Sequence, residues 1–309
     1  MDKAKKQHYV PQFLLRHFGA GKKSKAKVWV LDKRNVKTYR ASVRDVGHEN
    51  RFYEYHGEHG DLELEGLLSI IDGHGARVVR DIVKSGKLPQ SQDDRITLSY
   101  ILAVQMLRTP SIRKDMENIR EIIVRKFGPD VVARPGERPV GDFGPDDDRF
   151  SSLNMIRQAP EFASVLRAKS WILCRAPAAV PFIVSDNPIA RHNMVERQGR
   201  GTLGLMNEGI EIYMPLSTNY IIHLICPKSV AAALATPELE GQYSPALKNG
   251  TPIQYVPENA EFVNSLQVVW AERFVFAREL GHLKMPLDML RTNPELRYGP
   301  GVRQRPEDA

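Results

Sequence analysis

Lys27-Val28-Trp29-Val30-Leu31 and Val36-Lys37-Thr38-Tyr39-Arg40 flank the polar tetrapeptide Asp32-Lys33-Arg34-Asn35. Two short β-prone runs on either side of a polar turn predict an antiparallel hairpin. Phe52-Tyr53-Glu54-Tyr55 reads as a further strand. From Leu62 the apolar spacing changes period: Leu64, Leu67, Leu68, Ile71, Val78, Val79 and Ile82 share one helical face. Gly73 and Gly75 weaken that helix midway. Ser91 is the expected N-cap of a second helix, with Asp93 and Asp94 in its first turn. Ile96, Leu98, Ile101, Leu102, Val104 and Leu107 make this helix apolar nearly all round, which places it centrally. Pro110 should break it, and another helix is predicted over 111–126.

Residues 128–150 are rich in Gly, Pro and Asp, as a long loop or a sub-boundary would be. The loop separates an α-rich first half from a β-richer second half within one domain covering 1–309. A short helix is expected over 151–168, then strands over 171–175, 182–185, 210–215 and 220–226, and a last helix over 257–279. The tail after Met285 shows no core pattern. Together these elements predict an α+β fold, a mostly antiparallel sheet packed with an α-helical layer.

At 309 residues, 42% of them apolar and 26% charged, the chain can bury a substantial core. Net charge is +7, a balance that favours polyanionic partners such as nucleic acid or nucleotides. The densest lysines are Lys3, Lys5 and Lys6, then Lys22, Lys23, Lys25 and Lys27. They suit a phosphate-facing patch or, equally, a hairpin edge kept soluble by charge. The two cysteines, Cys174 and Cys226, sit in apolar runs and read as buried free thiols of a reducing compartment. No apolar signal segment opens the chain, and no stretch approaches the ~20 apolar residues of a membrane span. The expectation is a cytoplasmic protein without a membrane partner.

Four groups can carry chemistry. His8, Gln12 and Arg16 recur every four residues. Pro11 disfavours a helical Val10, so the chain should run extended through Val10 and turn helical from Pro11. That puts His8 at the mouth of the turn, with Gln12 and Arg16 behind it, unless the segment is simply an N-terminal anchor. Glu65 and Asp72 stand two helical turns apart, about 10 Å along the axis, too far to share one metal unless the helix kinks; they also read as ordinary surface acids. Gln105 and Arg108 interrupt an apolar helix and need partners: Glu65 or Asp186 for a structural ion pair, an anionic ligand for a functional one. In Phe182-Ile-Val-Ser-Asp186-Asn187-Pro188 small polar groups follow a strand. Asp186 can serve as base or metal ligand and Asn187 can orient a substrate, or both can cap their own turn. Gly199 to Gly204 matches G-x-G-x-x-G but lacks the strand-to-helix context of a dinucleotide site. His48, His56, His59 and His74 lack zinc spacing.

His8-Tyr-Val-Pro-Gln-Phe13, Lys27-Val-Trp-Val-Leu-Asp-Lys33, Arg51-Phe-Tyr53, Gln105-x-x-Arg108-Thr-Pro110, Phe182-Ile-Val-Ser-Asp-Asn-Pro188 and Tyr213-Met-Pro-Leu-Ser217 occur in that order. The ordered set resembles a widespread microbial family carrying a domain of unknown function numbered 4238, over roughly residues 7 to 280. The family pattern has two helical glutamates seven residues apart. Glu65 matches the first, and Asp72 stands where the second is expected. The resemblance also implies that Asn264 is the family's polar position on the last helix.

The leading expectation is a hydrolase of phosphodiester or nucleotide bonds. His8, Glu65 and Asp186 would act as acid–base or divalent-metal-binding groups, and Gln12, Gln105, Arg108, Asn187 and Asn264 would hold the substrate. A non-enzymatic nucleic-acid or anion-binding module, serving stress response or phage defence, is the alternative. A third reading makes the polar set a buried structural network. An enzyme should gather His8, Gln12, Arg108 and Asp186 around one cleft; a binding module should show a continuous basic face and leave them apart or mutually satisfied.

Overall fold

The computed structural model describes residues 6–21, 25–195 and 203–300. Lys3, Lys5, Lys22 and Lys23, and Gly199 to Thr202 of the glycine motif, lie outside the described residues. The fold is α+β, with mostly antiparallel sheets packed against helices.

The predicted hairpin forms from Lys27–Asp32 and Lys37–Ser42, with Leu31 opposite Thr38 and Val28 opposite Ala41. It is completed from far along the chain. Phe274–Ala277 pairs with Lys27–Asp32, and Val184–Ser185 pairs with Phe274–Ala277, giving a four-stranded antiparallel sheet. The helix expected over 257–279 therefore ends earlier, at Trp270, and its last part is this strand. Val275, Phe276 and Ala277 are all buried, so both faces of this strand are covered, and a short apolar run of that kind does not distinguish strand from helix in the sequence.

The second sheet has five strands, in the order Ile253–Gln254, Ser170–Arg175, Tyr220–Ile225, Ile210–Pro215, Ala190–Asn193. Only the first pairing is parallel. Ile210–Pro215 and Tyr220–Ile225 fall where predicted, and their alternate residues face opposite layers. The short edge strands Ala190–Asn193 and Ile253–Gln254 and the helices Pro227–Leu234 and Pro237–Asn249 carry no clear periodic signal in the sequence.

Three helices form the layer that matters for the site. Glu65–Ser85 begins three residues later than its apolar pattern, because Leu62–Glu63 pairs with Glu54–Tyr55 instead. Gln92–Leu107 is the central helix, buried on most faces. It stops before Pro110, which opens the helix Pro110–Phe127 at its first position. The loop over 128–150 gives way early to the helix Pro145–Met155, so the single helix expected over 151–168 is two, Pro145–Met155 and Ala159–Arg167. The tail is also structured: Lys284–Thr292 is helical, and Leu290 and Leu296 are buried in a small core with Leu31, Ile183 and Val275. The main core runs from Tyr9 to Phe276. Cys174 and Cys226 are buried and free. No described helix is long and apolar enough to cross a membrane.

Candidate functional site

The N-terminal segment takes the predicted form. Lys6–His8 is extended and pairs with His48–Asn50, with His8 opposite His48. Pro11 then leads into the helix Gln12–Arg16. Five residues are too few to hold a helix alone. Leu14 and Leu15 within it and Phe18 just after it are fully buried, and each contributes about 2 kcal/mol. The strand is fixed by Gln7, whose side-chain amide donates to Glu54 Oε1 (2.9 Å) and accepts from the Tyr53 amide (2.6 Å).

Beside this helix lies a cleft of about 320 Å³ whose wall includes His8, Gln12, Arg16, Tyr53, Glu65 and Asp72. Three separate segments thus converge: the N-terminus, the strand region at Tyr53, and the first two turns of Glu65–Ser85. A polar chain closes the cleft from below. Gln105 Nε2 donates to the Tyr9 carbonyl (2.9 Å), and Gln105 Oε1 accepts from Arg108 Nε (3.1 Å). The Arg108 guanidinium then donates to both oxygens of Asp72 (2.9 and 3.3 Å). Arg108 is buried, so this two-pronged pair keeps its charge compensated. The Tyr53 hydroxyl lies within reach of the carbonyls of His8 (3.1 Å) and Arg108 (3.3 Å), tying the N-terminus and the end of the central helix to the Tyr53 region. At the mouth, Arg16 is exposed and donates to Gln12 Oε1 (2.9 Å).

Electrostatics divides the titratable groups. Burial raises Glu65 above the ordinary carboxylate range, and Asp72 adds to the rise while Arg108 opposes it. Burial lowers His8 to about 4, with further lowering from His48 and Arg108, against hydrogen bonding to the backbone of Arg44 and Val43. Its Nε2 is buried without a hydrogen-bond partner. At neutral pH His8 is uncharged, and Glu65 is the group more easily protonated than its type.

The other predicted residues form a separate assembly. The four groups expected to meet around an enzyme's cleft are divided: His8 and Gln12 line it, Arg108 is buried in its pair with Asp72, and Asp186 does not line the cleft. The Asp186 carboxylate accepts from the backbone amides of Glu272 (2.8 Å), Arg273 (2.7 Å) and Phe274 (2.8 Å). Asn187 donates to the Trp270 carbonyl (3.1 Å) and accepts from the Thr109 hydroxyl (3.4 Å). Asn264 accepts from the Ile183 amide and donates to the Pro181 carbonyl, both at 3.0 Å. Gln267, unremarked in the sequence, accepts from the Ser185 amide (3.0 Å) and donates to the Pro188 carbonyl (2.9 Å). These four side chains strap the Ser-Asp-Asn-Pro turn to the helix Pro257–Trp270 and the strand after it. Asp186, expected as a catalytic base or metal ligand, and Asn187 and Asn264, expected to hold substrate, are thus corrected: their side chains are consumed by backbone partners. Tyr53 is the cleft residue that sequence reasoning missed, because an aromatic in a short β-prone run reads as core.

The cleft's ionisable groups do not form a metal-ligand set; no group of three or more His, Cys, Asp or Glu suited to hold a metal occurs among the described residues. A family model described as a protein of unknown function, DUF4238, matches residues 6–280. The chain belongs to the DUF4238 family. No curated protein and no solved structure matches it. Both the cleft and the Ser-Asp-Asn-Pro strap lie inside the DUF4238 match, whereas the helix Lys284–Thr292 lies beyond it. Asp72, one methylene shorter than the glutamate expected there, still reaches Arg108 with both oxygens.

Proposed function

We propose that the Glu65 cleft is a hydrolytic site acting on a phosphodiester or nucleotide bond. What carries the reading is the setting of Glu65: a half-buried carboxyl with a raised pKa beside a fixed Asp72–Arg108 pair, in a cleft with Gln12 and Arg16 at its mouth. A carboxyl held nearer neutrality is a competent proton-transfer group. Glu65 takes a proton from the attacking water and returns it to the leaving oxygen, so one group serves both halves of the reaction. Arg16 and Gln12 meet the anionic part of the substrate. Arg108 acts through Asp72, which it holds in place as a positioning residue. The lowered His8 is too weak a base for the proton transfer and offers a neutral hydrogen-bonding wall instead. Asp186, Asn187 and Asn264 support the fold and take no part.

The test is a hydrolysis screen on RNA, DNA and nucleotides, with and without divalent cations, run with wild type and Glu65→Gln. The expected result is turnover that falls about 10²–10⁴-fold in the variant with its melting temperature kept. Full activity in Glu65→Gln, or no turnover on the whole panel, overturns the reading. Saturable binding without turnover would assign the cleft to an anion-binding module.

A further inference from the structure

A second polar assembly, on the five-stranded sheet, is used by neither the cleft nor the strap. Glu211 is buried in the strand Ile210–Pro215. Its Oε1 is 3.0 Å from His223 Nε2 and its Oε2 is 3.0 Å from His192 Nδ1. Register explains the meeting: His192 is directly opposite Glu211, and His223 directly opposite Tyr213, two residues along the same face. The Tyr213 and His223 rings stack at 4.2 Å, and the Tyr213 hydroxyl is hydrogen-bonded to Glu211. The network continues outward, for Tyr255 Oη lies 3.4 Å from His223 Nδ1 and is hydrogen-bonded to Cys174.

Burial works against the charge of Glu211, but the hydrogen bonds from His223, His192 and Tyr213 outweigh it and keep the carboxylate ionised at neutral pH. Burial holds Tyr213 and Tyr255 in the phenol form. The strands concerned are already joined by their backbone ladders, and a packed apolar face would hold the same layer at lower cost. Above the network is open space. A cavity of about 440 Å³ lies between the sheet and the helices Pro237–Asn249 and Pro257–Trp270. Such a volume suits a small organic ligand.

The lining selects the ligand's chemistry. Glu211, Tyr213 and His223 form the floor, Tyr243, Tyr255 and Phe262 the walls. The exposed side chains of Gln242 and Asn259 stand at the rim. Aromatic walls favour a flat ring. Phenol oxygens and rim amides accept from N–H groups. No lysine or arginine lines the cavity, and a carboxylate sits in its floor, so an anion would be desolvated beside a like charge with no permanently cationic side chain to offset it. We propose that this cavity binds a small, uncharged, planar ring compound bearing N–H donors, of nucleobase size, held against Tyr213 and Tyr255. The site is independent of the Glu65 cleft.

Benzamide and benzoate test it well, because they share a shape and differ in charge; adenine serves as the nucleobase probe. Titration calorimetry of the full chain should show benzamide and adenine saturating one site, with benzoate at least tenfold weaker at neutral pH. Tyr255→Phe should weaken adenine about fivefold. Asn259→Trp, a change at an exposed rim position that spares the core, should block adenine altogether while the melting temperature stays at the wild-type value. The proposal is overturned if neither neutral ring saturates, if benzoate binds as well as benzamide, or if Asn259→Trp binds adenine like the wild type.

Discussion

Arg108 shows how one side chain can set both stability and the field of a site. Its charge is buried and its only acidic hydrogen-bond partner among the described residues is Asp72, on a different helix. Arg108→Met leaves Asp72 and Gln105 without their shared donor. We expect a loss of about 3 kcal/mol, the lower part of the range for breaking a buried pair because Asp72 is partly solvated; urea unfolding measures it. His8 makes a prediction of a different kind. Its pKa falls to about 4 in the folded protein from 6.5 in the free side chain. Below pH ~6.5 the unfolded chain takes up a proton that the folded protein refuses, so stability contributed here falls as pH is lowered. His17, His48 and His282 are lowered as well, while Glu65, Asp115, Asp186 and Glu272 are raised and act in the opposite sense. The comparison must therefore be between variants. His8→Gln should lose less stability than wild type between about pH 7 and pH 5. Parallel melting-temperature profiles would show that His8 does not titrate as described.

At the scale of elements, the Glu65–Ser85 helix meets Gln92–Leu107 at a glycine. A Cβ on Gly75 would lie 2.6 Å from Ile101 Cδ1 and 3.3 Å from Phe13, so the close approach of the two helices and the N-terminal helix depends on its absence. A Cβ on Gly73 meets nothing within 4 Å. Gly73→Ala should therefore stabilise the protein by about 0.5–1 kcal/mol through helix propensity alone. Gly75→Val should destabilise it by about 2 kcal/mol through overpacking. Equal effects in thermal melts would refute this account of the helix contact. The sequence reads both glycines alike, as weak points in a helix, since only the neighbour's position distinguishes them. The same limit governs the site. The four-residue spacing around Pro11 and the two-turn spacing of Glu65 and Asp72 are local, and both survive folding as expected. Asp186 looks the same in a chain whether it faces a ligand or three backbone amides. Glu211 is harder still, because Ile-Glu-Ile-Tyr alternates as an ordinary half-exposed strand does. What buries that carboxylate is a pair of helices, one of which, Pro237–Asn249, has no readable period.

At the scale of the whole molecule, the two halves on either side of 128–150 share one main core, and the four-stranded sheet draws on both. Buried Lys33 donates to the carbonyls of Val268 (2.8 Å) and Ala271 (2.6 Å), and Asp32 pairs with Arg273, 241 residues along the chain. The hairpin that is simplest to recognise in the sequence is thus the one that waits longest for its neighbour. During synthesis its Lys27–Asp32 edge stays unpaired until Phe274–Ala277 leaves the ribosome, while nearly the entire chain is being made. An unpaired edge is open to wrong partners, and closing so distant a contact slows the final step. Exposed Lys27 begins the strand with the open edge, and exposed Lys37, on its hairpin partner, stands at the other end, so charge that discourages edge-to-edge pairing flanks the edge. The lysines of this segment thereby acquire a role in the history of the chain: they guard a half-built sheet until its last strand arrives.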